Sequence, residues 1–298
     1  MMRKTAYRDS RIISNIKYIV YKMITWVFCS IIVSVTAHPA ADLYSPANNT
    51  TKQLETRYGR IVGGNEASIH RFPYQVSIQL EGAHRCGGAI YTPKIIISAA
   101  HCLKLPDMPE LYAVRAGSTE HEQGGQYIPV RNIYLHSQFQ KPNLRSNDIA
   151  LLWLQLPLQF DYNTQPIPLG TKTDIADISK KKAFLVVSGW GATAEETQVG
   201  ATRLRYAEVQ MFNQNYCKTA LAGKEPITGR MLCAGALGGG RDSCKGDSGG
   251  PLVSYSRGQA ILVGIVSFGV GCGRTKYPGV YTRVAEYKDW IEKAAKKM

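Results

Sequence analysis

The chain contains no Cys-x-x-Cys pair and no His-Glu-x-x-His run, and its six histidines fall at no ligand spacing. These absences argue against zinc and thioredoxin-type chemistry, which need donors presented together from a short segment. An apolar run long enough to cross a membrane, about 20 residues, is also missing: the leader run Met23 to Ala37 has 15. Acidic side chains are scarce, 22 against 36 Lys and Arg, for a formal charge of +14. That excess is uneven, because residues 1–60 hold nine basic and three acidic groups and leave 27 against 19 for residues 61–298. No run interleaves basic with aromatic residues, so the positive charges read as solvated faces and nucleic acid is not an expected partner. There is no internal repeat, and no accessory domain points to a partner.

At 298 residues, 44% of them hydrophobic, the chain can bury a full core as one large or two small domains. Six basic residues within 1–22, the apolar run and the small residues before Ala37 form a signal-peptide plan, with cleavage expected after Ala37. Translation from Met23 also explains the long basic region, and a signal anchor over residues 12–37 is the alternative. Residues 38–60 are rich in Pro, Asn and Thr and poor in branched apolar residues, the composition of an exposed linker. The linker carries two overlapping glycosylation sequons, at Asn48 and Asn49. Of seven cysteines, Cys29 lies in the leader; Cys86, Cys102, Cys217, Cys233, Cys244 and Cys272 lie in the body. Six suggest three disulfides, with fifteen pairings open on sequence alone, and an oxidising compartment.

Short β-rich runs separated by turn residues fill the body: 74–80, 95–98, 149–154, 184–187, 261–266 and 280–284. The pattern predicts an antiparallel sandwich or pair of barrels, and only 286–297 has convincing helical spacing.

Asp242 to Pro251 is a glycine-rich stretch with one exposed-looking hydroxyl, Ser248. Glycines at 246, 249 and 250 permit positive φ and close substrate approach, and leave backbone N–H groups able to bind an oxyanion. Gly, Asp and Ser also make ordinary surface turns, so the stretch is not decisive alone. His101 follows an apolar strand and Asp148 precedes another, and a serine hydroxyl becomes a nucleophile when a base takes its proton and a third group orients that base. Arg60-Ile61 joins the linker to an abruptly apolar segment, either a cleavage point or simply a first strand.

With these residues in order, the chain resembles the trypsin-like (chymotrypsin-fold) serine protease family over residues 61–298. The resemblance rests on Arg60-Ile-Val-Gly-Gly64, Ala99-Ala-His-Cys102, Asn147-Asp-Ile-Ala-Leu-Leu152, Gly189-Trp-Gly191, Gly246-Asp-Ser-Gly-Gly-Pro251 and Pro278-Gly-Val-Tyr281. The order His, Asp, Ser distinguishes it from the subtilisin-like and α/β-hydrolase plans. It implies two six-stranded antiparallel β-barrels with the active site between them and a C-terminal helix. It further implies a secreted zymogen cleaved at Arg60-Ile61 and hydrolysis after Arg or Lys through an acyl-enzyme. His101, Asp148 and Ser248 would form the triad, and the N–H groups of Gly246 and Ser248 the oxyanion hole. Asp242 would sit at the base of the substrate pocket, Ser267, Gly269 and Gly279 along it, and Asp247 would pair with the new Ile61 ammonium. The implied disulfides are Cys86–Cys102, Cys217–Cys233 and Cys244–Cys272.

The resemblance implies no cofactor, a monomer acting on protein or peptide substrates and open to protein inhibitors, and no stable membrane association. Three departures stand out. Phe268 replaces a common tryptophan, Lys245 an entrance glutamine, and Arg145 lies near a neighbouring subsite; as cleft residues the two cations would favour acidic residues flanking the cleaved bond, and otherwise they are solvated. The loop 117–125 is shorter than the family's calcium loop and has Ser118 in place of a glutamate, so no calcium site is expected. His38, His70, His84, His121 and His136 read as surface or packing residues. A catalytically inactive homologue acting as a binding or regulatory protein is the alternative function; loss of a triad residue would mark it, and all three are present.

Overall fold

Alternating and β-branched apolar residues make most of the body into strands. The computed structural model describes residues 61–197, 199–256 and 258–297. The leader, the linker, both sequons, Cys29 and Arg60 lie outside the described residues.

The first half forms β1 (Asn65–Glu66), β2 (Gln75–Leu80), β3 (Ala83–Thr92), β4 (Ile95–Ser98), β5 (Tyr112–Ala116), β6 (Gln126–Leu135) and β7 (Ala150–Leu154). The second half forms β8 (Phe184–Gly189), β9 (Arg205–Phe212), β10 (Met231–Gly235), β11 (Pro251–Ser256), β12 (Gln259–Phe268) and β13 (Gly279–Arg283). The order β2-β3-β4-β7-β6-β5 closes into one antiparallel barrel. The order β9-β10-β13-β12-β11-β8 closes into a second through β8–β9 pairing, with β1 added at β9. Among the described residues, closure leaves no long exposed strand edge. The expectation of two six-stranded barrels is borne out.

The sequence pattern missed β1, β3, β5, β6, β9, β10 and β11, and two of these, β3 and β6, have identifiable interruptions. β3 contains Gly87 and Gly88, which read as turn residues, yet a Cβ at Gly87 would come within 2.8 Å of Gly250 Cα. The glycine is there because two backbones meet. β6 contains Pro129 and slips register between Val130 and Asn132, a bulge that breaks the alternation.

Helices also extend beyond the C-terminal one. Besides α3 (Lys288–Ala295), the expected tail helix in shorter form, there are α1 (Lys172–Lys181) and α2 (Gln214–Ala220). This corrects the expectation that only the tail is helical. α1 buries just Ile175 and Ile178, too narrow a stripe to show as periodicity. Its start is set by Thr171, whose hydroxyl accepts from Asp174 N while the Asp174 carboxylate accepts from Thr171 N. Among the described residues no helix is long and apolar enough to cross a membrane.

The two barrels are sewn together by polar contacts as well as by packing. Ser188 Oγ donates to Gln75 Oε1 at 2.7 Å, both fully buried, and Gly87 N donates to Ser248 O at 2.8 Å. Disulfides join Cys86 to Cys102, Cys217 to Cys233 and Cys244 to Cys272.

Candidate active site

His101 sits in a single 3-10 turn, Ala100–Cys102, that follows β4, and the Cys86–Cys102 bridge ties that turn back to β3. Asp148 sits just before β7. Ile149 N donates to Asn147 O at 2.9 Å, a three-residue turn with Asp148 at its apex. The apex turns the carboxylate to His101: Oδ1 accepts from His101 N at 2.9 Å and Oδ2 from Nδ1 at 2.7 Å. With Nδ1 occupied as donor, Nε2 of the neutral ring is the basic nitrogen.

A third donor was not foreseen. Ser267 Oγ, at the end of β12, donates to Asp148 Oδ2 at 2.5 Å, and Thr282 Oγ1 on β13 donates to Asp148 O at 2.7 Å. Asp148 is only 1% exposed, so these bonds replace the water it has lost. The second barrel thereby holds an acid carried by the first. Ser267 was expected only along the substrate pocket; no sequence pattern marks a hydroxyl that points to a partner 119 residues away.

The loop carrying Ser248 is shaped by two glycines in the left-handed region, Gly246 at φ 95° and Gly249 at φ 77°. A Cβ at Gly246 would approach Gly191 Cα to 3.0 Å. Between them Asp247 is fully buried, its Oδ1 accepting from Gly191 N at 2.8 Å and its Oδ2 from Cys244 N at 2.9 Å. Burial pushes its carboxyl up to about 6, with the two N–H groups opposing. Among the described residues the N–H groups of Gly246 and Ser248 donate to no protein acceptor. Ser248 and His101 line one cleft of ≈ 400 Å³, with no hydrogen bond between Ser248 Oγ and His101 Nε2. Such bonds are often long before substrate binds.

The same cleft descends to Asp242, which is 2% exposed. Its Oδ1 accepts from Ser243 N at 2.8 Å and its Oδ2 from Gly273 N at 3.2 Å. Burial raises this carboxyl to about 7, and those N–H groups only partly oppose it. Gly269 and Gly279 line the walls, and a Cβ at Gly279 would lie 2.6 Å from Asp242 Oδ1 and close the approach. The Cys244–Cys272 bridge joins the loop carrying Ser248 to the opposite wall. At the rim, Arg274 Nε donates to Glu195 Oε2 at 2.8 Å.

Arg145 and Lys245 both line the cleft and are exposed. The Arg145 guanidinium lies 5.6 Å from the centre of the Phe268 ring and 4.0 Å from Glu225. His84, expected to be a surface or packing residue, is half-buried between Ser77 Oγ, 2.8 Å from Nδ1, and Gly246 O, 3.1 Å from Nε2. The carbonyl can only accept, so Nε2 carries the proton and Nδ1 accepts from Ser77. Burial lowers this imidazole to about 4 and keeps it neutral. His84 therefore braces the peptide that precedes Asp247. Cys86, His101 and Cys102 lie close enough together to suggest a metal site, but both sulfurs are in a disulfide and no thiolate is available.

Ile61 is fully buried in the core of the second barrel, and Asp242 N donates to Val62 O at 3.3 Å. The start of the body is thus packed beside the loop that carries Asp242 and Asp247.

The family model described as Trypsin matches residues 61–291. A vitellin-degrading protease of Bombyx mori is 40% identical over 234 residues, 78% of this chain and 84% of its own length. Trypsin beta of Drosophila erecta is 39% identical over 234 residues, 78% and 87% of the two chains. Trypsin alpha of Drosophila melanogaster is 40% identical over 238 residues, 80% and 88%. With two closed barrels and a His-Asp pair facing a glycine-bounded serine loop, these matches establish that the chain belongs to the trypsin family of serine endopeptidases.

Proposed function

We propose that the protein is a secreted endopeptidase, made as a zymogen, that cleaves after Arg or Lys. The observation that carries this reading is one continuous cleft in which the Asp148-bonded His101, Ser248 and the buried Asp242 converge. Ser248 Oγ attacks the scissile carbonyl carbon and passes its proton to His101 Nε2. Asp148 Oδ2 holds Nδ1–H throughout and stabilises the imidazolium. The developing oxyanion takes the N–H groups of Gly246 and Ser248, each such donor being worth roughly 100- to 1000-fold in rate. Collapse transfers the Nε2 proton to the leaving amine and leaves an acyl-enzyme, which water, deprotonated by the same nitrogen, then hydrolyses.

Asp242 favours a cationic side chain because a buried carboxylate without a counter-charge is costly. The Arg145 guanidinium, with Phe268 beneath it, and the Lys245 ammonium favour a carboxylate near the cleaved residue. Cleavage at Arg60-Ile61 would create an α-ammonium next to the segment packed beside Asp247. A free α-amine has pKa ~7.7–8.0. Pairing raises it, so that ion pair is present at neutral pH and lost as pH rises through the raised value. The basic leader followed by an apolar run supports export, and three disulfides fit an oxidising compartment.

Ser248→Ala should reduce turnover of an arginyl peptide to background while urea unfolding stays within about 1 kcal/mol of the parent; a folded mutant that still hydrolyses the peptide removes Ser248 from the mechanism. On a peptide library the activated enzyme should cut after Arg and Lys, with acidic neighbours enriched at low salt. Dominant cutting after Phe or Leu would reject the Asp242 assignment, and equal rates for acidic and neutral neighbours would reject the part given to Arg145 and Lys245.

Because burial sets Asp242 near 7, a small aromatic amidine must bind its ionised form. Affinity should be level above pH 7 and fall about tenfold per unit well below it. Calorimetry on the His101→Ala variant keeps the imidazole out of the titration, and constant affinity from pH 5 to 8 would contradict the assignment. Arg60→Gln should stay uncleaved under added trypsin and remain inactive, whereas full activity of the uncut chain would end the zymogen reading.

A further inference from the structure

Asn147, immediately before Asp148, is 7% exposed and holds φ at 55°, in the left-handed region that asparagine tolerates better than most residues. Its side-chain amide is completely used. Nδ2 donates to Gln138 O at 2.9 Å and to Lys141 O at 2.7 Å, which fixes which end of the amide is which. Oδ1 accepts from Arg230 Nη1 at 2.8 Å and from Tyr287 OH at 3.0 Å. The first two partners belong to the loop between β6 and β7 of the first barrel. Arg230 stands just ahead of β10 in the second barrel, and Tyr287 stands just ahead of α3.

The donors are themselves braced. The Arg230 guanidinium lies 5.5 Å from the centre of the Tyr287 ring, and the His136 ring meets that ring edge-on at 5.5 Å. Tyr287 is 2% exposed, and burial pushes its hydroxyl up to about 12, so it remains a donor across neutral pH. The turn at Asp148 is therefore gripped on its near side by its own barrel and on its far side by two groups from the other half of the chain. None of the four contacts touches the substrate cleft.

We infer that Asn147, with Arg230 and Tyr287 donating to its amide, is a positioning unit for the catalytic pair. It fixes the left-handed turn from which Asp148 orients His101, and ties that turn to the second barrel, which carries Ser248. The inference rests on His101 and Asp148 acting as base and orienting acid. That assignment fails separately, if His101→Ala keeps its turnover.

The amide is removed by Asn147→Gly, which leaves the left-handed backbone accessible. Both donors are removed by the double variant Arg230→Met with Tyr287→Phe, which keeps bulk at a surface arginine and a buried ring. Hydrolysis of an arginyl substrate is measured per active site titrated with a covalent serine-directed reagent, so that unfolded protein is not counted. A displacement of about 1 Å in a reacting group can cost ~100-fold in rate. We expect kcat per titrated site to fall at least threefold, and about tenfold for the double variant, with KM within twofold. Arg230→Lys with Tyr287 intact, which can still donate, should recover most of the rate. A merely structural role would lower the melting temperature and the number of titratable sites but leave kcat per site unchanged. The proposal is overturned if kcat per site stays within twofold in both variants, or if the whole loss lies in KM.

Discussion

A carboxylate sealed from water must find donors, and Asp148 finds them on both sides of the seam between the barrels. His101 supplies two from the first barrel, and Ser267 and Thr282 supply a side-chain bond and a backbone bond from the second. A buried anion left with an empty lone pair costs more than most single contacts contribute. The registry of one barrel against the other is therefore set where the acid sits. Packing alone is less directional: Ile96 or Leu152 tolerates small shifts that a 2.5 Å hydrogen bond does not.

The loop that carries Ser248 solves a related problem at higher density. Between Asp242 and Gly249 it contains a fully buried Asp247, a buried Asp242, one half of a disulfide and two left-handed glycines. Among the described residues both carboxylates are held by backbone N–H groups and not by cations, so burial dominates and lifts both above the ordinary carboxylate range. Two under-compensated anions side by side are a cost to the fold. Under the proposed function each would receive a positive charge from elsewhere, a substrate side chain at Asp242 and a newly freed amino group at Asp247.

Legibility in the sequence varied with the range of the interaction. The short strand Ile95–Ser98 was read with its correct bounds because three consecutive β-branched residues declare it locally. β3 was missed because Gly87 serves a contact with a distant segment, and β6 because Pro129 and the bulge after it break the alternation. α1 announced itself only through Thr171 and Asp174, a capping pair that is easily lost without a wide apolar face. His84 reads from the sequence only as a surface or packing residue, yet its bond to Gly246 O connects it to the loop that carries Ser248.

The order of motifs in the chain determined the fold class, the family and the identities of the candidate site residues, because each motif is local and its residue types have few other uses in that arrangement. Only the tertiary structure decided which groups serve them. Ser267, Thr282, Arg230 and Tyr287 lie 83 to 140 residues from the partners they hold in the Asp148 turn. Nothing in a serine or tyrosine marks which distant acceptor it will meet, since that depends on how two closed barrels settle against each other.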